Sequence, residues 1–189
     1  MGTLMREPAD LHRLLADIDA PRLHLEQLTA EHREALRPLC PADDPVWEIY
    51  PTNMAGEHFD AAFDAIVGNP GRRPFAIFDE GAMVGISGYL NIDAANRVLE
   101  IGGTYMTPAA RGSGVNGRVK PLIIGRAFDA GFDRIEFRID RRNTRSMRAV
   151  EKLGAVKEGI MRRQRITWTG HVRDTGLWSL LADEWVIGG

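Results

Sequence analysis

Apolar positions along the chain change period several times. Between residues 8 and 18, Leu11, Leu14, Leu15 and Ile18 recur at helical spacing, and Pro21 ends the run. Leu23, Leu25 and Gln27–Leu28 then read as a strand. Thr29 is a good N-cap for a helix over Glu31–Leu39. The segment 41–54 is irregular and carries Trp47, Tyr50 and Met54, which either line a pocket or pack. A helix over Gly56–Val67 follows, with Phe59, Phe63, Ile66 and Val67 on its apolar face. Phe75–Phe78, Met83–Leu90 and Val98–Met106 then form three strands, joined by short turns at Asp79-Glu80-Gly81 and Asp93–Asn96, so they should be antiparallel.

Beyond Met106 the period turns helical. Val115, Val119, Leu122, Ile123, Ala127 and Ala130 share a face, and Gly131 supplies a stop. Pro121 lies inside this helix and cannot donate to the carbonyl of Gly117, so a kink is expected there. Ile135, Phe137 and Ile139 alternate as a strand, and Asn143–Leu153 is a second helix closed by Gly154. Two strands, 155–168 and 172–181, meet at a turn around Gly170. Antiparallel strands followed by strand–helix–strand–helix units imply a mixed α/β sandwich whose sheet is partly parallel.

Composition narrows the class. The 189 residues are 44% hydrophobic and 26% charged, which suits one domain, here residues 21–189, behind a helical extension over 1–20. A net charge of -2 argues against a broad nucleic-acid surface, although arginines 138, 141, 142, 145 and 148 cluster, as do 162, 163 and 165. No stretch approaches the roughly 20 apolar residues of a membrane span, and no apolar leader stands at the N-terminus. Cys40 is the single cysteine, which excludes an intramolecular disulfide and suits a cytoplasmic protein. The five histidines show no metal-ligand spacing, so no metal is expected.

The candidate chemistry begins where Val98–Met106 gives way to Arg111-Gly112-Ser113-Gly114 and then to a helix. Glycines permit positive φ and close backbone approach. The first amides of a helix have no internal acceptor and carry the positive end of its dipole. Together they make an anion nest, to which Arg111 can add a formal charge. The loop fits neither the Gly-x-Gly-x-x-Gly nor the Gly-Lys-Ser/Thr pattern.

Arg111-Gly112-Ser113-Gly114-Val115-Asn116 resembles the acyl-CoA loop of the GNAT superfamily, Gln/Arg-x-x-Gly-x-Gly/Ala, with Asn116 in place of the small final residue. Leu99-Glu100-Ile101-Gly102, Asn143-Thr144-Arg145-Ser146, Glu151-Lys152-Leu153-Gly154-Ala155 and Glu158-Gly159-Ile160-Met161-Arg162 resemble its RimJ/RimL-type N-acetyltransferases in register, from about residue 21 to residue 185. The resemblance implies a sheet of about seven strands with helices on both faces. It also implies that the fourth and fifth strands are parallel and splay apart. Pantetheine would run along the backbone of Thr104, Tyr105 and Met106, and the pyrophosphate would sit on the amides of Gly112, Ser113, Gly114, Val115 and Asn116.

The implied reaction is transfer of acetyl from acetyl-CoA, as donor substrate, to a primary amine by direct attack in a ternary complex. The acceptor could be a protein N-terminus, a small amine or an amine-bearing antibiotic. Glu100 is the candidate base, Ser146 can supply the proton to the leaving thiolate or bind the pantetheine, and Asn143 reads as the N-cap of its helix and can also meet the cofactor. The alternative is an acyl-CoA-binding regulatory module without catalysis. No nucleic-acid or membrane partner is expected, and the chain could be a monomer or a homodimer.

Overall fold

A computed structural model of the chain describes residues 7–185. Its elements are α1 (Leu11–Leu15), β1 (Ile18–Ala20), β2 (Leu23–Gln27), α2 (Arg33–Leu36), α3 (Phe59–Val67), β3 (Arg72–Asp79), β4 (Ala82–Asp93), β5 (Val98–Met106), α4 (Val115–Asp129), β6 (Arg134–Asp140), α5 (Thr144–Lys152), β7 (Val156–Ile166) and β8 (Val172–Leu181). The strands form one eight-stranded sheet in the order β1-β2-β3-β4-β5-β6-β8-β7. All pairs are antiparallel except β5 with β6.

The mixed sheet with helices on both faces is the expected class. It has eight strands rather than seven, because Ile18–Ala20 pairs with Leu23–Leu25 at the edge. The helical pattern at its start is correspondingly short, ending at Leu15. Arg126 holds this segment down, donating to the carbonyls of Arg13, Ala16 and Asp17. The helix expected over Glu31–Leu39 is broken into 3₁₀ turns flanking α2. Pro38 has no amide to continue an α-helical ladder. By contrast, α4 runs through Pro121 from Val115 to Asp129.

Two apolar clusters sandwich the sheet. Leu99, Ile101, Ile135, Phe137, Trp178 and Leu180 pack on one face with Val119, Ile123 and Ala127 of α4 and Val150 of α5. On the other face Ala76, Ile86 and Tyr105 pack with Leu36, Trp47, Phe59 and Phe63. That second cluster takes no residue from β6, β7 or β8, so their outer face keeps a polar row.

The parallel pair sets up the site. β5 and β6 are joined only over Val98–Glu100 and Arg134–Glu136. Beyond those three pairs, β6 continues on β8 to Asp140, and β5 continues on β4 to Met106. The two strands therefore part toward their C-terminal ends, where α4 and α5 begin. Such openings between adjacent parallel strands are where open α/β sheets take ligands.

Candidate functional site

At the end of β5, Thr107 Oγ1 accepts from the Ala110 amide and closes a 3₁₀ turn. Gly112 (φ 81°) and Gly114 (φ 87°) are both left-handed, a conformation costly for residues with a Cβ. A Cβ at either glycine would meet nothing within 4 Å, so the backbone there faces open space. The amides of Gly112, Gly114, Asn116 and Gly117 find no acceptor among the described residues. Ser113 turns its hydroxyl to the Ala110 carbonyl at 2.7 Å. Val115 is buried and anchors the first turn of α4, while Asn116 Oδ1 is buried without a partner. The arrangement is a backbone nest at a helix start, suited to an anion.

Arg111 departs from expectation. Its guanidinium is not a free charge beside the nest. Nη1 and Nη2 donate to the two carboxylate oxygens of Asp44 at 2.7 and 2.5 Å, and Nε donates to the Met106 carbonyl at 2.8 Å. It also lies over the Tyr105 ring. Burial alone would raise the pKa of Asp44, but Arg111 and the Val46 amide outweigh it and hold the carboxyl below its ordinary value. Arg111 thus pins the loop to the irregular segment 41–54.

That segment roofs the end of β5. Trp47 stacks on Tyr105 at 4.9 Å between ring centroids, and Tyr50 Oη donates to the Thr104 carbonyl at 2.7 Å. Tyr105 Oη donates to the Leu39 carbonyl, which commits its side chain to packing. Met106 is buried and Thr104 half-buried. Trp47 and Met54 are buried in the same cluster. Trp168, at the β7–β8 turn, donates from Nε1 to the Trp47 carbonyl at 2.6 Å and meets the His58 ring at a tilted angle. Two loops distant in sequence thereby meet over the cleft. The tie from Tyr50 to β5 and the bond from Trp168 to Trp47 have no signal in sequence spacing.

Across the opening, Asn143 caps α5, its Oδ1 accepting from the Ser146 amide at 3.0 Å. Capping uses Oδ1 and leaves Nδ2 without a partner among the described residues. Ser146 is half-buried, and its hydroxyl has no partner among the described residues. The charge of Arg145 acts on both Asp44 and Tyr50, so the start of α5 faces the same roof as Arg111.

Glu100 lies deeper, at the closed end of the splay. It is buried, accepts from Asn91 Nδ2 at 2.8 Å and lies 3.6 Å from Arg138 Nε. Burial raises its pKa, against the opposing pull of Arg138 and Asn91. A carboxylate with raised affinity for a proton suits a general base.

One buried ionisable group was not foreseen. Lys120 of α4 reaches the other face of β5, where Nζ donates to Thr104 Oγ1 at 2.7 Å and Ser87 Oγ at 3.0 Å. The two hydroxyls also bond each other at 2.7 Å. With no carboxylate in this group, burial lowers the lysine pKa to about 7. Cys40 is buried, and desolvation pushes its thiol up to about 12, so it is a packed thiol rather than a nucleophile. Asp17, His24 and Glu26 approach one another near the exposed sheet edge, but His24 is engaged by Asp19 and Glu26.

The acetyltransferase (GNAT) domain family matches residues 22–156. The chain belongs to that family, and it is an acyltransferase. No curated protein matches it in sequence. Among solved structures it is similar to a probable GNAT-family acetyltransferase from Chromobacterium violaceum, with 28% identity and a TM-score of 0.86, covering 97% of this chain and 99% of that one. A GCN5-related N-acetyltransferase from Brucella melitensis shares 28% identity with a TM-score of 0.83, covering 90% and 80%. RimL, a ribosomal L7/L12 α-N-protein acetyltransferase solved with coenzyme A, shares 16% identity with a TM-score of 0.78, covering 89% and 99%. At that identity the likeness to RimL is one of fold. For this GNAT acyltransferase, the β5–β6 opening with its backbone nest is the candidate donor site.

Proposed function

We propose that the protein is an N-acetyltransferase of the RimJ/RimL type that moves acetyl from acetyl-CoA to a primary amine by direct attack in a ternary complex. The observation that carries this reading is the set of four unpartnered amides, on Gly112, Gly114, Asn116 and Gly117, at the mouth of the β5–β6 splay. The pyrophosphate sits on those amides, and pantetheine runs down the β5 edge toward Thr104–Met106. RimL, solved with coenzyme A on the same fold, supports coenzyme A as the ligand.

The acceptor nitrogen forms a bond to the thioester carbonyl carbon as its proton passes to Glu100, directly or through water. Collapse of the tetrahedral intermediate breaks the carbon–sulfur bond. The CoA sulfur leaves with a proton from Ser146 or solvent. A protein α-amine, with a pKa of about 7.7–8.0, needs less help than an alkyl amine near 10.4. The raised proton affinity of Glu100 matches either task.

Release of free CoA thiol from acetyl-CoA, assayed with peptides, amino acids and polyamines, tests the reading. Turnover dependent on both substrates, with an N-acetylated product by mass spectrometry, is expected. Acetyl-CoA binding with no turnover of any amine would instead favour a role in acyl-CoA sensing.

A further inference from the structure

Four guanidinium groups converge around Glu100 from four strands. Arg72 stands on β3, Arg138 on β6, Arg165 on β7 and Arg173 on β8. Strand registers put them on one face. Arg72 aligns with Leu90 and Leu90 with Glu100, and Glu100 aligns with Glu136. Arg138 follows Glu136 by two residues on the same face, and Arg173 pairs with Arg165. Glu100 feels the charges of Arg138 and Arg165, and Arg173 feels those of Arg165 and Glu100.

Their acidic partners are too few. Arg138 Nη2 takes Glu136 at 2.9 Å, but Glu136 also serves Arg134, and Arg138 Nε is buried with no hydrogen bond. Arg173 is buried and, among the described residues, donates only to Thr175 Oγ1 and the Arg138 carbonyl, with Asp140 its largest acidic influence. Asp140 in turn is bonded to Arg142. The side chains of Arg72 and Arg165 make no hydrogen bond or ion pair among the described residues. Burial and the charge of Arg165 both depress the pKa of Arg72. Gathering like charges in a partly desolvated cleft costs stability unless an anion completes it.

We propose that the acceptor is an amine that carries a carboxylate close to its nitrogen, and that Arg72 and Arg165 bind that carboxylate beside Glu100. The proposal rests on the N-acetyltransferase reading above and names its substrate class. Guanidinium matches a carboxylate in bidentate geometry, and a ligand anion would relieve the Arg72–Arg165 repulsion. A polyamine would bring more positive charge to a cleft that already has an excess.

The test compares initial rates at saturating acetyl-CoA for glutamate and aspartate, their diamides, in which both carboxyl groups are amidated, peptides with acidic first residues, and spermidine. Carboxylate acceptors should exceed their amides by about tenfold or more in kcat/KM, the loss expected when a charge-assisted pair is removed. Free amino acids and acidic peptides separate the two sources of the carboxylate. R72Q and R165Q should raise the acceptor KM about tenfold and leave acetyl-CoA binding by calorimetry unchanged. The exposed Arg165 supplies a variant whose folding is not at stake. Amides as good as acids, preference for spermidine, or unchanged KM in both variants would overturn the proposal while leaving N-acetyl transfer intact. Absence of acetyl-CoA binding would overturn the underlying reading instead. If acetyl-CoA binds but no amine turns over, glutamate titrated into the CoA-bound protein must still bind, and no heat there overturns the proposal.

Discussion

On one side of the β5–β6 opening, the loop at residues 111–116 offers backbone amides that a short run of sequence puts in place. On the other side, charged side chains arrive from β3, β6, β7 and β8, from as far apart in sequence as Arg72 and Arg173. The proposed donor half depends on conformation, namely two left-handed glycines and a helix start. The proposed acceptor half depends on sheet register. A general donor can be held by atoms every residue possesses, whereas selecting an acceptor requires particular side chains. Substitutions on the two sides should therefore fail differently.

The largest expected effect is on the acceptor side. E100Q should lower kcat by about a hundredfold or more, as loss of a general base does, while acetyl-CoA affinity in calorimetry stays near that of the wild type. Next comes the clamp between loop and roof. D44A leaves the guanidinium of Arg111 partly buried without its carboxylate, and urea denaturation should show a loss of about 3 kcal/mol. Acetyl-CoA binding should weaken with it, because Arg111 anchors the loop.

Lys120 lies on the opposite face of β5 from Glu100 and sharpens the contrast between a compensated and an uncompensated charge. Its folded pKa, about 7, is below that of an unfolded lysine, so between those values the unfolded chain binds more protons. Its contribution to stability therefore improves as pH rises from about 7 toward about 10, and the full penalty applies below 7. K120M should be more stable than the wild type at about pH 6, by roughly 2 kcal/mol, with the advantage shrinking by about pH 9. Urea titrations at the two pH values check this. Ser87 and Thr104 already bond each other at 2.7 Å, so losing the ammonium should leave neither hydroxyl without a partner. Smaller again is N143A, which removes the cap of α5 and should cost about 1 kcal/mol in the same assay.

The same division explains what the sequence could tell. The three-strand meander, the glycine-flanked helices and the loop were legible because each is written in local period and turn chemistry. Arg111 was legible by position but not by partner, since Asp44 lies 67 residues away and belongs to a segment without period. Ile18–Ala20 was hidden at the end of a helical pattern because its strand character comes from pairing with β2. Lys120 looked like one polar position on a helix, and its burial depends on how α4 rolls onto the sheet. The arginines of β6 and β7 were visible as charge runs. Their convergence on Glu100 with Arg72 and Arg173 follows only from strand order.

The central claim, that the backbone nest holds the acyl donor independently of the arginine cleft, is tested most directly by calorimetric titration of acetyl-CoA into the wild type, G114V and R72Q. Valine at a left-handed position should distort the nest. The account predicts binding by the wild type and R72Q and its loss in G114V. No binding by the wild type at millimolar acetyl-CoA, or binding lost in R72Q and kept in G114V, would contradict it.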